Sequence, residues 1–379
     1  MSASTAERAA LQETAREFVH REVAPHLQEW EDAHEVPREL HRAAARQGLL
    51  GVSFPESVGG EGGDLLDSVA LQEAFFEAGA SSGLMAALYT GGIALPHIAT
   101  NGTPSLIDRF VRPTLAGELI GSLAVTEAGG GSDVAGIRTT AVREGDEYVV
   151  NGAKTFITSG VRADFVTTAV RTGEAGHAGI SLLVVEKGTP GFTVDRSLAK
   201  MGWHCSDTAE LSYVDVRVPV ANLVGEENSG FYQIAEQFVV ERIGLAVHAY
   251  GIAARSLELT AAYCRERETF GKPLIANQVV RHKLVEMQRS IEVARCYVRN
   301  TAERYVLGED VIAEACLAKQ TAVDCATYVC DQAVQLHGGT GYMHGTEVER
   351  HYRDARILPI GGGASEVLAD LAAKLLGYA

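Results

Sequence analysis

The texture of the sequence changes twice, and those two changes limit what the chain can fold into. Up to about residue 120 the apolar residues are spaced for helices. LQETAREFVHREVAPHLQEW sets Leu11, Phe18 and Val19 among charges, and LLDSVALQEAFFEAGA and LIDRFVRPTLAGE repeat the style. Gly and Pro cluster between these segments, at 59–63 and at Pro96. From Gly121 to about Gly225, short runs rich in Val, Ile and Thr alternate with turn residues, as in GDEYVVNGAKTFIT, DFVTTAV, ISLLVVEKG and GFTVDR. Within them, Glu144-Gly145-Asp146 and Asn151-Gly152 read as hairpin turns. After Ser229, which reads as an N-cap, helical patterns return near 230–265, 276–306, 310–337 and 364–377. The expected fold is therefore α+β and multidomain. It has an N-terminal helical domain (1–120), a middle antiparallel β domain (121–226) and a C-terminal four-helix bundle (227–379). Strands and helices do not alternate, which argues against a Rossmann arrangement.

A chain of 379 residues exceeds what one core normally serves, and 46% apolar residues suffice for large cores. The formal charge of −16 argues against a general nucleic-acid binder, although it leaves room for a local basic pocket. The six cysteines form no CxxC pair, so they read as small apolar core residues in a reducing compartment. The first residues carry no apolar signal core, and no apolar run reaches the ~18 residues of a membrane span. A soluble cytoplasmic protein is the expectation, with no membrane association.

One stretch, FVVERIGLA (238–246), puts a carboxylate where the pattern asks for an apolar residue. Ile234, Phe238, Glu241 and Leu245 share a helical face. A buried ion pair or a capped polar residue would explain Glu241 structurally. Arg242, however, points about 100° away and is not its natural partner.

Other stretches admit two readings each. AVTEAGGGSDVAG (124–136) is either a plain turn or a glycine loop whose backbone approaches a ligand; it is neither a Walker loop nor GxGxxG. NGAKTFITS (151–159) looks by pattern like an ordinary strand bearing Thr158. RERETFGKPL (265–274) ends a helix with arginines that suit its dipole or an anionic ligand. QLHGGTGYM (335–343) breaks the helical region, and IGGGASEV (360–367) feeds a helix N-terminus able to bind anions. His337, His344 and His351 recur every seven residues, but intervening glycines disrupt any helix that would align them, and no metal site is expected. GxSxG and HExxH do not occur, so hydrolase readings lack support.

Together these pieces resemble the acyl-CoA dehydrogenase family, from about residue 5 to 379. AVTEAGGGSDVAG, NGAKTFIT, MGWHCSDTAEL, RETFGKPL and QLHGGTGYM followed by RHYRDARI stand in family order and spacing. The resemblance implies an FAD enzyme. It places the cofactor against the loop at 123–132, including Leu123, Val125, Thr126, Gly131 and Ser132, and against Phe156, Ile157 and Thr158. It implies that Arg267 and Phe270, with Gln278 nearby, reach FAD from a neighbouring subunit. Gln335, Gly338, Gly339, Ala364, Ser365 and Glu366 would also meet the cofactor. It implies a homotetramer, or at least a dimer, and an electron-transfer flavoprotein as acceptor. The substrate would be an acyl-CoA lying near Ser132, Phe238 and Arg242, with its tail near Leu84, Met85 and Leu88.

Many members carry the catalytic base in a C-terminal Tyr-Glu-Gly-Thr loop. Here Gly362 stands where that glutamate would be. A branch including isovaleryl-CoA and long-chain acyl-CoA dehydrogenases instead places the base on an inward helix in a Glu-Arg pair. Glu241-Arg242 matches that pair, and LPIGGGASEVLADL resembles that branch. Ala128 replaces a usual proline and Gly345 a usual acid or amide. The implied reaction gives a trans-2-enoyl thioester, with Glu241 taking the α-proton, the flavin N5 accepting the β-hydride and Gly362 donating a backbone N–H to the thioester oxygen. A same-fold monooxygenase or oxidase, or a non-catalytic flavin-binding partner subunit, is the alternative.

Overall fold

The computed structural model describes residues 5–379. Helices occupy the chain as far as Leu115, strands run from Gly121 to Pro219, and helices fill 230–375. This is the helix–β–helix order expected from the texture of the sequence.

Two N-terminal helices matter for the site, α1 (Leu65–Glu77) and α2 (Ser82–Leu88). Asp64 caps α1 by accepting from the Leu66 and Asp67 N–H groups, while Asp67 Oδ2 accepts from the Asp64 N–H at 2.9 Å. That reciprocal pair satisfies two donors that a helix start leaves free. Ser81 caps α2 by accepting from the Leu84 N–H at 3.0 Å.

The middle sheet has seven strands: β1 (Gly121–Ala124), β2 (Thr140–Glu144), β3 (Glu147–Thr158), β4 (Phe165–Arg171), β5 (Ile180–Glu186), β6 (Phe192–Ser197) and β7 (Thr208–Pro219). Their order is β1-β4-β2-β3-β7-β6, with β5 beside β4. The sheet is mixed rather than purely antiparallel. β1 runs parallel to β4, and β2 meets β4 in parallel at Thr140 and Arg171. The turn at 144–147 forms as expected. Asn151-Gly152, however, lies inside β3, at a register shift against β7. A bulge takes the place of the turn because Gly152 has φ +151° and a Cβ there would lie 2.5 Å from Thr139 Oγ1.

The C-terminal part contains α3 (Gly230–Glu266), α4 (Gln278–Val306), α5 (Ile312–His337), α6 (Glu347–Ala355) and α7 (Ser365–Leu375). Ser229 does not cap α3 through its side chain. Its Oγ donates to Glu226 O at 2.6 Å and accepts from Gln233 Nε2 at 2.8 Å. The helical regions on either side of the sheet share one apolar core, in which Phe18, Phe75 and Phe76 pack with Ile243, Met287 and Val329. Glu73 helps to join them: its carboxylate accepts from Tyr250 Oη on α3 at 2.7 Å and from Arg299 on α4 at 2.8 and 2.6 Å. Of the six cysteines, all free, five are buried, as expected of apolar core residues, and Cys296 is exposed.

Candidate active site

Glu241 lies on α3, one turn beyond Phe238 and one before Leu245, on a face that both residues cover with half-buried apolar groups. Its carboxyl meets the glycine turn before α7. An added Cβ on Gly362 would sit 3.4 Å from Glu241 Oε1 and would collide with Leu245 Cδ1. Gly362 has φ +63°, a conformation that glycine adopts without the penalty other residues face. The empty position in the turn and the glutamate on the helix are therefore neighbours. Among the described residues the Gly362 N–H has no hydrogen-bond partner, which leaves a donor available at this point. Burial raises the pKa of Glu241 above its usual value, and the positive charges of Lys319 and Arg242 offset part of the rise.

Arg242 is buried, its guanidinium carbon 5.5 Å from the centre of the Phe238 ring. Its Nε has no hydrogen-bond partner among the described residues. A buried cation left short of partners suits an anionic or polar ligand.

The first glycine loop follows β1 and is tied to β3. Thr155 N donates to Thr126 O at 3.0 Å, and Lys154 Nζ donates to Val125 O at 2.9 Å and to Glu127 Oε1 at 2.8 Å. Glu127 also accepts from the Arg138 and Thr139 N–H groups at 2.7 and 2.9 Å. Burial alone would raise its pKa, but Lys154 and these donors outweigh burial and hold the carboxyl down at about 2. The loop is therefore fixed at its base and open at its tip. A Cβ on Gly129 would meet nothing within 4 Å, one on Gly130 only Asp133 O at 3.7 Å, and one on Gly131 only Thr126 at 3.4 Å. Packing within the chain does not require these glycines, and Gly131 and Ser132 are exposed. Space over a bare backbone fits the approach of a flat, phosphate-bearing cofactor such as FAD.

Phe156 supports the same fit. It sits at the second register shift of β3, with φ +60° and 67% of its surface exposed. An exposed ring on a strained backbone points to a ligand or a partner surface. Ile157, by contrast, turns its side chain into the β core, so only its backbone can face a ligand. Thr158 and Leu123 are half-buried beside it, and Thr158 O accepts from Ser122 Oγ at 2.6 Å.

Leu84, Met85 and Leu88 on α2 are buried in the same core as Ile243 and Val247 of α3. Beside them lies a polar group that the sequence reading did not pick out. Trp203 Nε1 donates to Ser82 Oγ at 3.0 Å, and Ser82 Oγ lies 3.1 Å from His248 Nδ1. Lys319 was also missed. It is buried on α5 among Ala315, Cys316, Ala322 and Val323, and its Nζ donates to the carbonyl oxygens of Gly361 and, at 2.7 Å, Gly363. The signal that would have found it is the one that exposed Glu241: a charge on an otherwise apolar helical stripe. Next along α5, Gln320 Nε2 donates to Ser365 O at 2.7 Å, fixing the start of α7, where Ala364 and Ser365 are half-buried and Glu366 is exposed.

The remaining cofactor candidates lie elsewhere. Arg267 caps α3, 26 residues beyond Glu241, a separation of about 39 Å along the helix. Phe270, fully exposed with φ +51°, follows in a two-strand hairpin, and Gln278 starts α4. Gln335, Gly338 and Gly339 close α5 beside them, where the Tyr263 and His337 rings stack at 4.4 Å. Cβ atoms on Gly338 or Gly339 would meet nothing within 4 Å. This second group is exposed and lies far from Glu241 along the chain's long helix.

Comparison with known proteins agrees with this arrangement. The family models described as the N-terminal, middle and C-terminal domains of acyl-CoA dehydrogenase match residues 5–118, 122–216 and 228–377. The chain therefore belongs to the acyl-CoA dehydrogenase family of FAD-dependent oxidoreductases. Within it, the chain stands with the long-chain branch: it is 40% identical to the long-chain specific acyl-CoA dehydrogenase of Rattus norvegicus, over 96% of this chain and 84% of that protein. A crystal structure of a probable acyl-CoA dehydrogenase from Mycobacterium abscessus superposes with a TM-score of 0.98 at 62% identity, covering 99% of this chain and 100% of that one. A chain in a structure described as the electron transferring flavoprotein of Acidaminococcus fermentans superposes with a TM-score of 0.94 at 34% identity, covering 99% of this chain and 98% of that one.

Proposed function

We propose that this acyl-CoA dehydrogenase converts an acyl-CoA thioester to its trans-2-enoyl-CoA, with Glu241 as the base. The observation that carries the reading is the meeting of a half-buried carboxylate with a glycine turn whose Gly362 N–H has no partner among the described residues. The α-proton of a thioester is a weak acid in water. Two groups of this chain close the gap. The Gly362 N–H donates a hydrogen bond to the thioester oxygen and stabilises the negative charge that develops there. Glu241, its pKa raised by burial, takes the proton at a carboxylate oxygen. Phe238 and Leu245 keep water from the carboxylate on either side. Arg242 offers a buried positive charge beside the base.

The residues that would hold FAD are the backbone of the loop at 123–132, Phe156 and Thr158, and, from the end of the site, Ala364, Ser365 and Glu366. When bound, FAD supplies the oxidant that accepts the β-hydride. The distance of the second group from Glu241 supports assembly as at least a dimer, with Arg267, Phe270, Gln278, Gln335, Gly338 and Gly339 serving the FAD of a neighbouring subunit. A homotetramer brings four such sites together. The likeness to a chain of an electron transferring flavoprotein structure supports a flavoprotein as the electron acceptor.

Anaerobic addition of branched, short and long acyl-CoAs to the FAD-loaded protein tests the reaction. Bleaching of the flavin with one trans-2-enoyl-CoA formed per FAD is expected. No bleaching with any acyl-CoA, or an oxygenated product in air, would overturn it.

A further inference from the structure

The turn that carries Gly362 is folded around a buried cation, Lys319, whose charge also acts on Glu241. Lys319 is 1% exposed, and its Nζ bridges the carbonyls of Gly361 and Gly363, one residue to either side of Gly362. Burying an ammonium group is costly unless it is paired and hydrogen-bonded. Here its hydrogen-bond partners are two backbone oxygens of one turn.

Peptide geometry gives that contact a consequence. In a planar trans peptide the C=O and the following N–H point in opposite directions, and the described chain contains no cis peptide bonds. With Gly361 C=O turned onto Lys319, the Gly362 N–H must face the other way, away from the ammonium. With Gly363 C=O turned onto the same ammonium, the Ala364 N–H is likewise set. Neither N–H has a partner among the described residues. Glycines at 361, 362 and 363 would leave such a turn loose, and Gly362 and Gly363 have φ +63° and +99°. A hydrogen bond to Gly361 C=O also polarises the amide, which makes its N–H a stronger donor.

We propose that Lys319 is a positioning residue for dehydrogenation: by holding the carbonyls of Gly361 and Gly363, it aims the Gly362 N–H at the thioester oxygen. This rests on the reading of Gly362 as the thioester donor. The role differs from that of a general structural lysine, because it acts on one bond of the bound substrate.

The test uses FAD-loaded Lys319→Met and Lys319→Gln with saturating acyl-CoA, and the carbonyl stretch of bound trans-2-enoyl-CoA labelled with ¹³C at the thioester carbon. In Lys319→Met, kcat falls about 10²-fold while KM and FAD content hold, and the stretch returns toward its value in free enoyl-CoA. Lys319→Gln, which keeps a neutral donor, recovers part of both. An unshifted stretch in Lys319→Met, or a loss of activity that follows loss of FAD alone, would overturn the proposal. Should Lys319→Met fail to fold, the wild-type complex decides. A crystal structure with enoyl-CoA must place the thioester oxygen on Gly362 N with Lys319 still on both carbonyls, and an oxygen held elsewhere refutes the role. Glu241→Gln keeps the carbonyl shift, because product binding needs no base. Failure of the base assignment therefore appears as turnover by Glu241→Gln, separately from any result at Lys319.

Discussion

Gly362 and Glu241 face each other across the site: a Cβ built on the glycine would stand 3.4 Å from the glutamate Oε1. The turn position nearest the carboxylate thus carries no side chain, and the helix supplies one in its place. Gly362→Ala would add that carbon in a backbone conformation that costs alanine ~1–2 kcal/mol, and would drive it into Leu245. We expect FAD to be retained and kcat to fall about 10²-fold. Steady-state rates on the FAD-loaded variant check this, and a rate equal to wild type would mean that the turn does not contact the reacting thioester.

The base must be ionised to take a proton. Burial raises the Glu241 pKa above its ordinary value of 4.5, with Lys319 and Arg242 offsetting part of the rise. The rate of flavin reduction should therefore climb with pH through a limb lying above 4.5 and level off beyond it. Stopped-flow reduction across pH measures the limb. A rate already at its plateau at pH 4.5 would show a carboxylate that water still solvates.

Glu73 ties α1 to α3 and α4 through Tyr250 and Arg299. Glu73→Gln weakens the charged pair and gives the buried Tyr250 hydroxyl, which donates to Glu73, only a neutral amide oxygen to donate to. Because Arg299 is 48% exposed, the loss is discounted for solvent, to about 2 kcal/mol. The melting temperature of the FAD-loaded protein should drop by several degrees with the activity per FAD unchanged. An unaltered melting temperature would mean that the shared apolar core alone joins the helical regions.

The coarse architecture was legible because the apolar period switches from helical to alternating and back. Glu241 was legible because a carboxylate interrupts an apolar stripe. Lys319 interrupts α5 in the same way, yet its meaning depends on a turn 42 residues later in the chain, which spacing alone does not bring near. Asn151-Gly152 misled because the dipeptide suits a bulge as well as a turn, and only the approach of Thr139 distinguishes them. Ser229 misled because its hydroxyl donates to Glu226 O and accepts from the Gln233 side chain instead of from the N–H groups of the helix start. The parallel pairing of β1 with β4 was hidden because a strand's own pattern does not record the direction of its neighbour.

The central claim is that Glu241 removes the α-proton, and pre-steady-state flavin reduction of Glu241→Gln tests it most directly. The amide keeps the size of the side chain but cannot accept the proton. We expect an FAD-replete variant that binds acyl-CoA and reduces its flavin about 10³-fold more slowly than wild type. Reduction at the wild-type rate would contradict it.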